Sequence, residues 1–237
     1  NCILFRLDPP VDEYYIQLTH ILDILESQGV LVINSPQSIR DYNEKLLGDK
    51  LTSKQVPTLV TSREDYINKF LEKHKKIVIK PMNLMAGKGI VSLSHGEEDN
   101  KFIIKELLKE PRKHVICQKF LKEIVDGDTR ILITNGIVHE DVLVRYPPKN
   151  DFRSNLSYGG RYKIKKINKK FINYLREVAL YLKYNRIYFA GVDMIGDYIT
   201  EINITSPTGI KQIEKNNKNI SKHIATEFIN ILNDHYD

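Results

Sequence analysis

The chain has 237 residues, 41% of them hydrophobic, and a formal net charge of +6 at pH 7. This length and composition are enough for a large buried core, in one domain or in two or three subdomains. The only two cysteines, Cys2 and Cys117, lie in apolar runs, which excludes a disulfide framework and favours buried thiols in a reducing compartment. No apolar run approaches the length of a membrane helix, and the lysines form neither a long arm nor an aromatic-rich patch. We therefore expect a cytoplasmic protein with no membrane partner and no nucleic-acid partner.

Hydrophobic periodicity predicts a β-α-β unit at the start of the chain. An apolar strand at residues 2–7 is followed by a helix of 3.6-residue period, which Gly29 ends, and by a short strand at 30–33. The chain opens at Asn1, without methionine, directly into the first strand. We therefore expect a fragment, or a chain with further residues before Asn1.

A small α+β unit is predicted to follow and to end near residue 119. Ser38 and Asp41 form a capping pattern for a helix that carries Lys45 and ends near Gly48. Strands are predicted at 58–61, 76–80 and 114–120, and helices at 62–71, capped by Ser62 with Asp65, and at 100–109.

A second unit begins with a strand at 130–134, an Asn-Gly hairpin turn and a returning strand that ends at 145. Residues 146–161 hold prolines, glycines and arginines without periodicity, and loops of this length in compact domains are usually functional. Helices are predicted at 168–184 and 219–234, on either side of a hairpin at 189–209.

Two carboxylates and an amide in this hairpin suggest a metal site. Glu201 and Asn203 are two residues apart on a strand, so their side chains point to one face. Oxygen ligands beside a turn rich in backbone donors suit a hard cation that carries a polyphosphate. The surrounding residues are apolar, so a carboxylate such as Asp193 is costly here unless it is paired or coordinated. The alternative, that Asp193 and Glu201 are solvated charges on an exposed face, stays open.

The turn of the hairpin decides whether these carboxylates can meet. A two-residue turn at 196–197 would pair residue 193 with 200 and would place Asp193 and Glu201 on opposite faces. An odd-length connection or a bulge must therefore intervene. We predict an odd-length connection at 196–198, with the two carboxylates on one face.

Phosphates cannot be bound here by a standard glycine-rich loop. The run at 86–89, Ala-Gly-Lys-Gly, completes neither the P-loop pattern nor G-x-G-x-x-G. The candidates are instead Lys45, Lys80 and the loop residue Lys88. Lys80 ends the apolar strand IVIK, and its ammonium must either bind an anion or reach solvent. Two arginines flank the hairpin of the second unit, Arg130 and Arg145, and they suit either a transferring phosphate or surface ion pairs.

Six segments, in order along almost the whole chain, resemble the ATP-grasp superfamily and, more closely, the bacterial glutathione synthetases. They are FRLDPP (5–10), NSPQSIRDYNEKL (34–46), IVIKPMNLMAGKGI (77–90), QKFLKEIVDGDTRILITNG (118–136), RSNLSYGGR (153–161) and FAGVDMIGDYITEINITSPTGI (189–210). The resemblance implies an α/β (α+β) chain with an ATP-grasp fold, in which two α+β subdomains enclose ATP behind the remnant of a β-α-β N-terminal domain. The implied boundaries are 1–43 for the remnant, 44–119 for the small lid subdomain and 120–237 for the large catalytic subdomain.

Site residues follow from the resemblance position by position. The implied nucleotide residues are Lys45 and Lys80 at the phosphates, Gln118, Lys119, Phe120 and Leu121 at adenine, and Asp128 at the ribose. Arg130 and Arg145 match arginines near the transferred phosphate and acyl group, and Asp193, Glu201 and Asn203 match the magnesium ligands. The residues implied at the peptide substrate are Arg6, Asp8, Asn155, Ser206, Pro207 and Thr208.

The implied reaction joins γ-glutamylcysteine to glycine with ATP, through an acyl phosphate. It implies two Mg²⁺ ions, with Mn²⁺ as an alternative, and a homo-oligomer, often a tetramer in the family. Two other readings stay open: a ligase for another amino-acid or peptide acceptor, and a degenerate module that binds nucleotide without turnover.

The chain departs from the family pattern at two places. Residues 83–87 read Asn-Leu-Met-Ala-Gly where the family usually has Asp-Gly-Met-Gly-Gly, which puts the phosphate-covering loop in doubt. The family also has further residues before the position of Asn1, so we expect the chain as given to bind MgATP but to make little product. The loops at 83–89 and 146–161 are expected to be mobile without ligand and to close over ATP and the acceptor.

Overall fold

The structure is a computed structural model of the chain, and it describes residues 1–51, 54–82, 87–110 and 114–236. The sequence departure at 83–86 lies outside the described residues. The helices are α1 (Glu13–Ser27), α2 (Pro36–Asp41), α3 (Leu47–Leu51), α4 (Glu64–His74), α5 (Asn100–Leu107), α6 (Ile172–Tyr184), α7 (Ile210–Glu214) and α8 (Ile220–Tyr236). The strands are β1 (Cys2–Leu4), β2 (Leu31–Ile33), β3 (Thr58–Thr61), β4 (Lys76–Pro81), β5 (Val91–Ser94), β6 (Val115–Lys119), β7 (Asp128–Thr134), β8 (Ile137–Val138), β9 (Asp141–Tyr146), β10 (Arg161–Lys166), β11 (Phe189–Ile195) and β12 (Tyr198–Asn203).

The first unit has the predicted β-α-β order. Strands β1 and β2 pair in parallel, and α1 connects them, with Asp12 as an N-cap whose carboxylate accepts from the Tyr15 amide at 3.0 Å. The prediction that both thiols are buried is correct for Cys117 and wrong for Cys2, which is exposed. The reason is that β1 is one of only two strands in its sheet and is mostly exposed.

The four-stranded sheet has the order β3-β6-β4-β5, and its paired strands are antiparallel. Helices α4 and α5 supply Ile67, Leu71 and Ile104 to its core, which packs on Ile77 and Ile79 of the central strand β4. Strand β5 was not predicted. It pairs with β4 and contributes one fully buried apolar side chain, so its hydrophobic pattern is weak.

The six-stranded sheet is the larger one, with the order β10-β9-β7-β11-β12 and β8 beside β7. Helix α6 covers one face, and α7 with α8 covers the other. Apolar residues therefore fill both faces of the central strands β7 and β11, which explains their nearly continuous burial. The edge strand β10 was not predicted, because exposed basic residues alternate with its apolar ones.

The hairpin between β11 and β12 turns through only two residues, 196–197, so the predicted odd-length connection is wrong. The register instead shifts by one residue between Asp193 and Met194, and Thr200 forms a bulge in β12. Asp193 consequently pairs with Glu201, and the prediction that these carboxylates share a face is correct.

Two predicted helix starts are also wrong. Helix α2 begins at Pro36 rather than after Ser38, whose hydroxyl lies in the helix and donates to the Asn185 carbonyl oxygen. This helix ends at Asp41, so Lys45 lies outside it. Helix α4 begins at Glu64 without a side-chain cap from Ser62. Within the described ranges, no helix is long and apolar enough to cross a membrane.

The side chain of Asn34 connects the first unit to the large sheet. Asn34 is 3% exposed, and its Nδ2 donates to the carbonyl oxygens of Phe189 and Ile204, both at 2.7 Å. Its Oδ1 accepts from the Phe189 amide at 2.8 Å. One amide group thus bonds the start of β11 and the residue that follows β12.

We predict that Asn34→Ala lowers the free energy of unfolding by about 2–4 kcal/mol, because it leaves buried backbone groups of Phe189 and Ile204 without their partner. Urea unfolding followed by circular dichroism measures this loss. The control is Asn230→Ala, which removes an exposed amide bonded to Glu227 and should have little effect. Equal stability losses in the two variants would contradict the role of Asn34.

Candidate functional site

A cavity of about 320 Å³ lies between the four-stranded and the six-stranded sheet. Seventeen of the predicted site residues line it: Asp8, Lys45, Lys80, Lys88, Gln118, Lys119, Phe120, Leu121, Asp128, Arg130, Arg145, Asn155, Asp193, Glu201, Asn203, Ser206 and Thr208. Arg6 and Pro207 lie beside it instead, where Arg6 Nη2 donates to the Pro207 carbonyl oxygen at 2.7 Å. The Arg6 guanidinium also stacks over the Phe189 ring at 5.3 Å.

A cluster of two arginines and two aspartates forms the floor of this cavity. Arg130 binds Asp193 in bidentate fashion, with Nε–Oδ1 at 2.8 Å and Nη2–Oδ2 at 2.6 Å. Arg145 Nη2 lies 2.9 Å from Asp193 Oδ1 and 2.7 Å from Asp128 Oδ2. Strand register explains the meeting, because Arg130 pairs with Asp193 across β7 and β11, and Asp128 pairs with Arg145 across β7 and β9.

The electrostatics of the cluster keep Asp193 ionised. Burial opposes its ionisation, but the charges of Arg130 and Arg145 outweigh burial and hold the pKa of this carboxyl well below its usual range. Burial raises the pKa of Asp128, with Arg145 acting in the opposite direction. The two aspartates are therefore not equivalent, because the arginines favour the ionised form of Asp193 more strongly than that of Asp128.

Asp128 retains binding capacity toward a ligand. Its Oδ2 accepts from Arg145 and from the Ser154 hydroxyl at 2.8 Å, whereas its Oδ1 is buried and has no hydrogen-bond partner among the described residues. Arg145 Nε is also buried and has no hydrogen-bond partner within the described part of the chain. Buried polar atoms without partners are rare in folded proteins. Their position at the cavity fits the polar groups of a bound molecule.

The hairpin brings the three predicted metal ligands to one face. Asp193 pairs with Glu201 because of the bulge at Thr200, and Gly191 pairs with Asn203. Asn203 Nδ2 donates to Asp193 Oδ2 at 3.1 Å and to the Gly191 carbonyl oxygen at 3.2 Å. Two carboxylates and an amide are oxygen donors that fit a hard divalent cation, which would share Asp193 with the arginines.

This donor set depends on its amide. Across the described ranges, no group of three or more His, Cys, Asp or Glu side chains could hold a metal ion. Only two carboxylates of the hairpin face each other, so a metal ion bound at this hairpin would need the Asn203 side chain for a third oxygen.

Two lysines approach the same cavity from the first half of the chain. The buried Lys45 Nζ lies 3.6 Å from Glu201 Oε1 and donates to the Met82 carbonyl oxygen at 3.4 Å. Lys80 lies at the end of β4, where loss of solvent lowers the pKa of its ammonium and Glu201 acts in the opposite direction. An anion bound in the cavity would offset the loss of solvent at the Lys80 ammonium.

The segment predicted to contact adenine joins the two sheets. Gln118 Nε2 donates to Thr58 Oγ1 at 3.3 Å and to the carbonyl oxygen of Thr200 at 3.4 Å. The amides of Lys119 and Phe120 donate to the carbonyl oxygens of Pro57 and Lys76, both at 3.0 Å. A base bound here would therefore have to use other backbone groups of the segment and the apolar side chains of the cavity.

The loop predicted at 146–161 is shorter in the structure, because its ends belong to β9 and β10, and it contains a 3-10 turn at Leu156–Tyr158. It lies over the cavity. The Phe152 ring packs edge-on against Phe120 at 6.0 Å, and the Ser154 hydroxyl donates to Asp128. These contacts connect the loop to both sheets.

Glu44 and Ser154 are among the residues at the cavity that were not predicted from the sequence. Glu44 carried a signal, because it lies in the segment NEKL beside Lys45. Ser154 carried a signal of the same kind, because it lies in the segment RSNLSYGGR beside Asn155.

We predict that Asp193→Asn lowers the free energy of unfolding by about 3 kcal/mol, because it leaves two buried guanidinium groups with too little negative charge. Chemical unfolding at neutral pH measures the loss. The control is Asp65→Asn, which breaks an exposed pair with Arg63 and should leave stability nearly unchanged. An Asp193 variant as stable as the Asp65 variant would show that the arginine cluster does not depend on this carboxylate.

Comparison with known proteins identifies the family to which this architecture belongs. Residues 44–218 match the family model of the prokaryotic glutathione synthetase ATP-grasp domain, and residues 1–40 match the model of the N-terminal domain of the same family. The glutathione synthetase of Coxiella burnetii is 36% identical over 236 residues, which cover 100% of this chain and 73% of that protein. The glutathione synthetase of Pseudomonas aeruginosa is 37% identical over 215 residues, 91% of this chain and 68% of that protein.

Solved structures of low sequence identity share the fold alone. A D-cycloserine synthetase superposes with a TM-score of 0.68 at 14% identity, over 87% of this chain and 76% of that one. A D-alanine–D-alanine ligase from Bacillus anthracis superposes with a TM-score of 0.63 at 14% identity, over 88% of this chain and 73% of that one. The fold is therefore the expected α+β ATP-grasp fold with an N-terminal unit, and the chain belongs to the prokaryotic glutathione synthetase family.

Proposed function

We propose that the cavity between the two sheets is the active site of this ATP-dependent ligase, which joins γ-glutamylcysteine to glycine. The observation that carries the proposal is the bulge at Thr200, because it turns Asp193 and Glu201 to the same face. Both carboxylates then line one cavity with arginines and lysines from four other segments. This arrangement of charges suits phosphoryl transfer between anions, in which positioning and charge neutralisation do most of the work.

The nucleotide is proposed to lie between the sheets. We assign its phosphates to Lys45 and Lys80, its adenine to residues 118–121 and its ribose to Asp128. Support comes from the lysine ammonium groups, which lie close to Glu201, and from the Asp128 Oδ1 atom, which has no partner within the described residues. A polyphosphate supplies the additional negative charge, and a ribose hydroxyl supplies the donor.

Members of this family use ATP and a divalent cation, and we propose Mg²⁺ as that cation, with two ions and with Mn²⁺ as an alternative. Asp193, Glu201 and Asn203 would hold the metal. When bound, such ions neutralise charge on the phosphates and on the leaving group. Lys45 is 3.6 Å from Glu201 and would keep this carboxylate oriented toward the phosphates.

The arginines are proposed to act on the reacting groups. The cysteinyl carboxylate of γ-glutamylcysteine attacks the γ-phosphorus, ADP leaves, and the amine of glycine then displaces phosphate from the acyl phosphate. Arg130 and Arg145 are fixed by Asp193 and so present preorganised positive charge where negative charge develops. The loop over the cavity would exclude water from the acyl phosphate.

The peptide substrate is assigned to the other end of the cavity. We propose that it contacts Asp8, Asn155, Ser206 and Thr208, which line this wall. Arg6 and Pro207 lie outside the cavity, and their direct hydrogen bond supports an indirect role, in which Arg6 orders the turn that carries Ser206 and Thr208.

The division of the chain is also a proposal. Residues 1–43, 44–119 and 120–237 would form the N-terminal remnant, the lid subdomain and the catalytic subdomain. The separate sheets of these three segments support the boundaries. A homo-oligomeric state is proposed from the family resemblance, and light scattering tests it. A cytoplasmic location is proposed from the resemblance and from the cysteine usage.

We predict that Glu201→Gln lowers kcat by about 100-fold, because it removes one negative charge from the metal site without a change in size. Phosphate release with γ-glutamylcysteine, glycine and MgATP measures the loss. The exposed Glu123, near the same hairpin turn, provides the control Glu123→Gln, which should retain full activity. A Glu201 variant within a few-fold of the parent would exclude the metal assignment. Phosphate release without glutathione would favour another acceptor.

We also predict that Mg²⁺, a non-hydrolysable ATP analogue and γ-glutamylcysteine together slow amide exchange in residues 147–160, because the bound molecules lie against Phe152, Ser154 and Asn155. Hydrogen exchange followed by mass spectrometry measures this, with peptides from the remote helix α8 as the internal control. Exchange that is the same with and without ligands would contradict a closing loop.

A further inference from the structure

Glu44 makes contacts that the reaction described so far does not use. It lies between α2 and α3, outside any helix or strand, and lines the cavity. Its Oε1 accepts three hydrogen bonds, from the Ile204 amide at 2.7 Å and from the Thr205 amide and hydroxyl, both at 2.9 Å. These partners lie 160 and 161 residues further along the chain.

The three donors lie directly after the end of β12. That strand ends at Asn203, and it is an edge strand of the six-stranded sheet. The amides of Ile204 and Thr205 have therefore left the ladder and need another acceptor. Burial and the charge of Glu201 raise the pKa of the Glu44 carboxyl, and the three donors act in the opposite direction. Burial of this carboxylate costs free energy that an apolar side chain of the same size would not cost. The position therefore needs the carboxylate as the acceptor of these three hydrogen bonds.

The segment that begins with these amides forms the acceptor wall of the cavity. After Thr205 come Ser206 and Thr208, which line the cavity. The Pro207 carbonyl oxygen accepts from Arg6 at 2.7 Å, and Thr208 Oγ1 accepts from Arg130 at 3.2 Å. The turn is thus held at three points, and Glu44 holds its first residues.

We propose that Glu44 is a positioning residue that fixes residues 204–208 for the acceptor side of the ligation. The inference rests on the proposed function, because it takes this turn as a wall of the peptide site. The proposed function gives Glu44 no role, and its carboxylate is the group that sets the position of this wall.

The side chain of Glu44 acts separately from the neighbouring phosphate lysine. The Lys45 amide donates to Asn43 Oδ1 at 3.0 Å, and the carbonyl oxygen of Glu44 accepts from the Ile202 amide at 2.9 Å. Both contacts are independent of the Glu44 carboxylate. Removal of the carboxylate should therefore disturb the acceptor wall and leave the nucleotide side in place.

The test is Glu44→Leu, which removes the acceptor and keeps the bulk. We expect kcat/KM for γ-glutamylcysteine to fall by about 10- to 100-fold, as expected when a reacting group is misplaced. Affinity for a non-hydrolysable ATP analogue, measured by titration calorimetry, should stay unchanged. Glu44→Gln should restore most of the activity, because its amide oxygen can accept the same hydrogen bonds.

The matched control is Glu227→Leu. Glu227 also accepts side-chain hydrogen bonds, from Asn135 and Asn230, but it lies away from the cavity. This variant should keep the kinetics of the parent. If Glu44→Leu does not fold, Thr205→Val removes one of the three donors and should give a smaller loss of the same kind.

A second readout needs no turnover. Amide exchange at Ile204 and Thr205, followed by nuclear magnetic resonance, should accelerate at least tenfold in Glu44→Leu, by about the factor expected for a lost hydrogen bond, and not in Glu227→Leu. Unchanged exchange overturns the proposal. So does a Glu44→Gln variant as impaired as Glu44→Leu, or an equal loss of nucleotide affinity. A parent chain that neither binds the ATP analogue nor forms glutathione would contradict the proposed function, and the exchange measurement alone would then decide the role of Glu44.

Discussion

The structure depends most on the pairing of one buried carboxylate, Asp193, with two arginines. This charge lies in a central strand of the larger sheet, where it would cost several kcal/mol without partners. Its partners come from two other strands, Arg130 from β7 and Arg145 from β9. Any slip of these strands by one residue would turn the partners to the opposite face. The ion pairs therefore favour one register of the sheet and place the cations at the cavity.

The bulge at Thr200 is the second constraint, and it lies where the two sheets meet. On the side away from β11, the Ile199 amide donates to the Lys54 carbonyl oxygen at 2.9 Å, and the Val56 amide donates to the Ile199 carbonyl oxygen at 3.1 Å. Gln118 of the smaller sheet donates to the carbonyl oxygen of Thr200. The irregularity that turns Glu201 toward Asp193 thus also supplies backbone groups to which the smaller sheet binds. The proposed metal site and the contact between the sheets therefore share one local distortion.

The sequence predicts part of the cavity lining from charged residues on apolar strands, and the rest from the resemblance to the family. The metal hypothesis requires Asp193 and Glu201 to share a face, and pairing arithmetic then requires one extra residue in the hairpin; the prediction puts that residue in the turn, whereas the structure has it in the strand, at Thr200. Such arithmetic cannot tell where in a hairpin the extra residue lies, because an extra residue in the turn and an extra residue in the strand shift the register equally. Glu44 and Ser154 could not be predicted in this way. Their partners are far away in sequence, at Thr205 and Asp128, and no local pattern encodes a contact of that range.

Strand pairing positions one side of the cavity, whereas side-chain hydrogen bonds from distant residues position the other side. Substitutions can therefore affect the two sides separately. The proposed nucleotide side consists mainly of strand residues whose positions follow from backbone ladders. The proposed acceptor wall follows no ladder: its turn is held by Glu44, Arg6 and Arg130, which come from distant parts of the chain. Substitution of one of these three residues can move the turn without a change in the register of the sheet. We therefore expect acceptor specificity to change through this turn, while the residues proposed for phosphoryl transfer keep their positions.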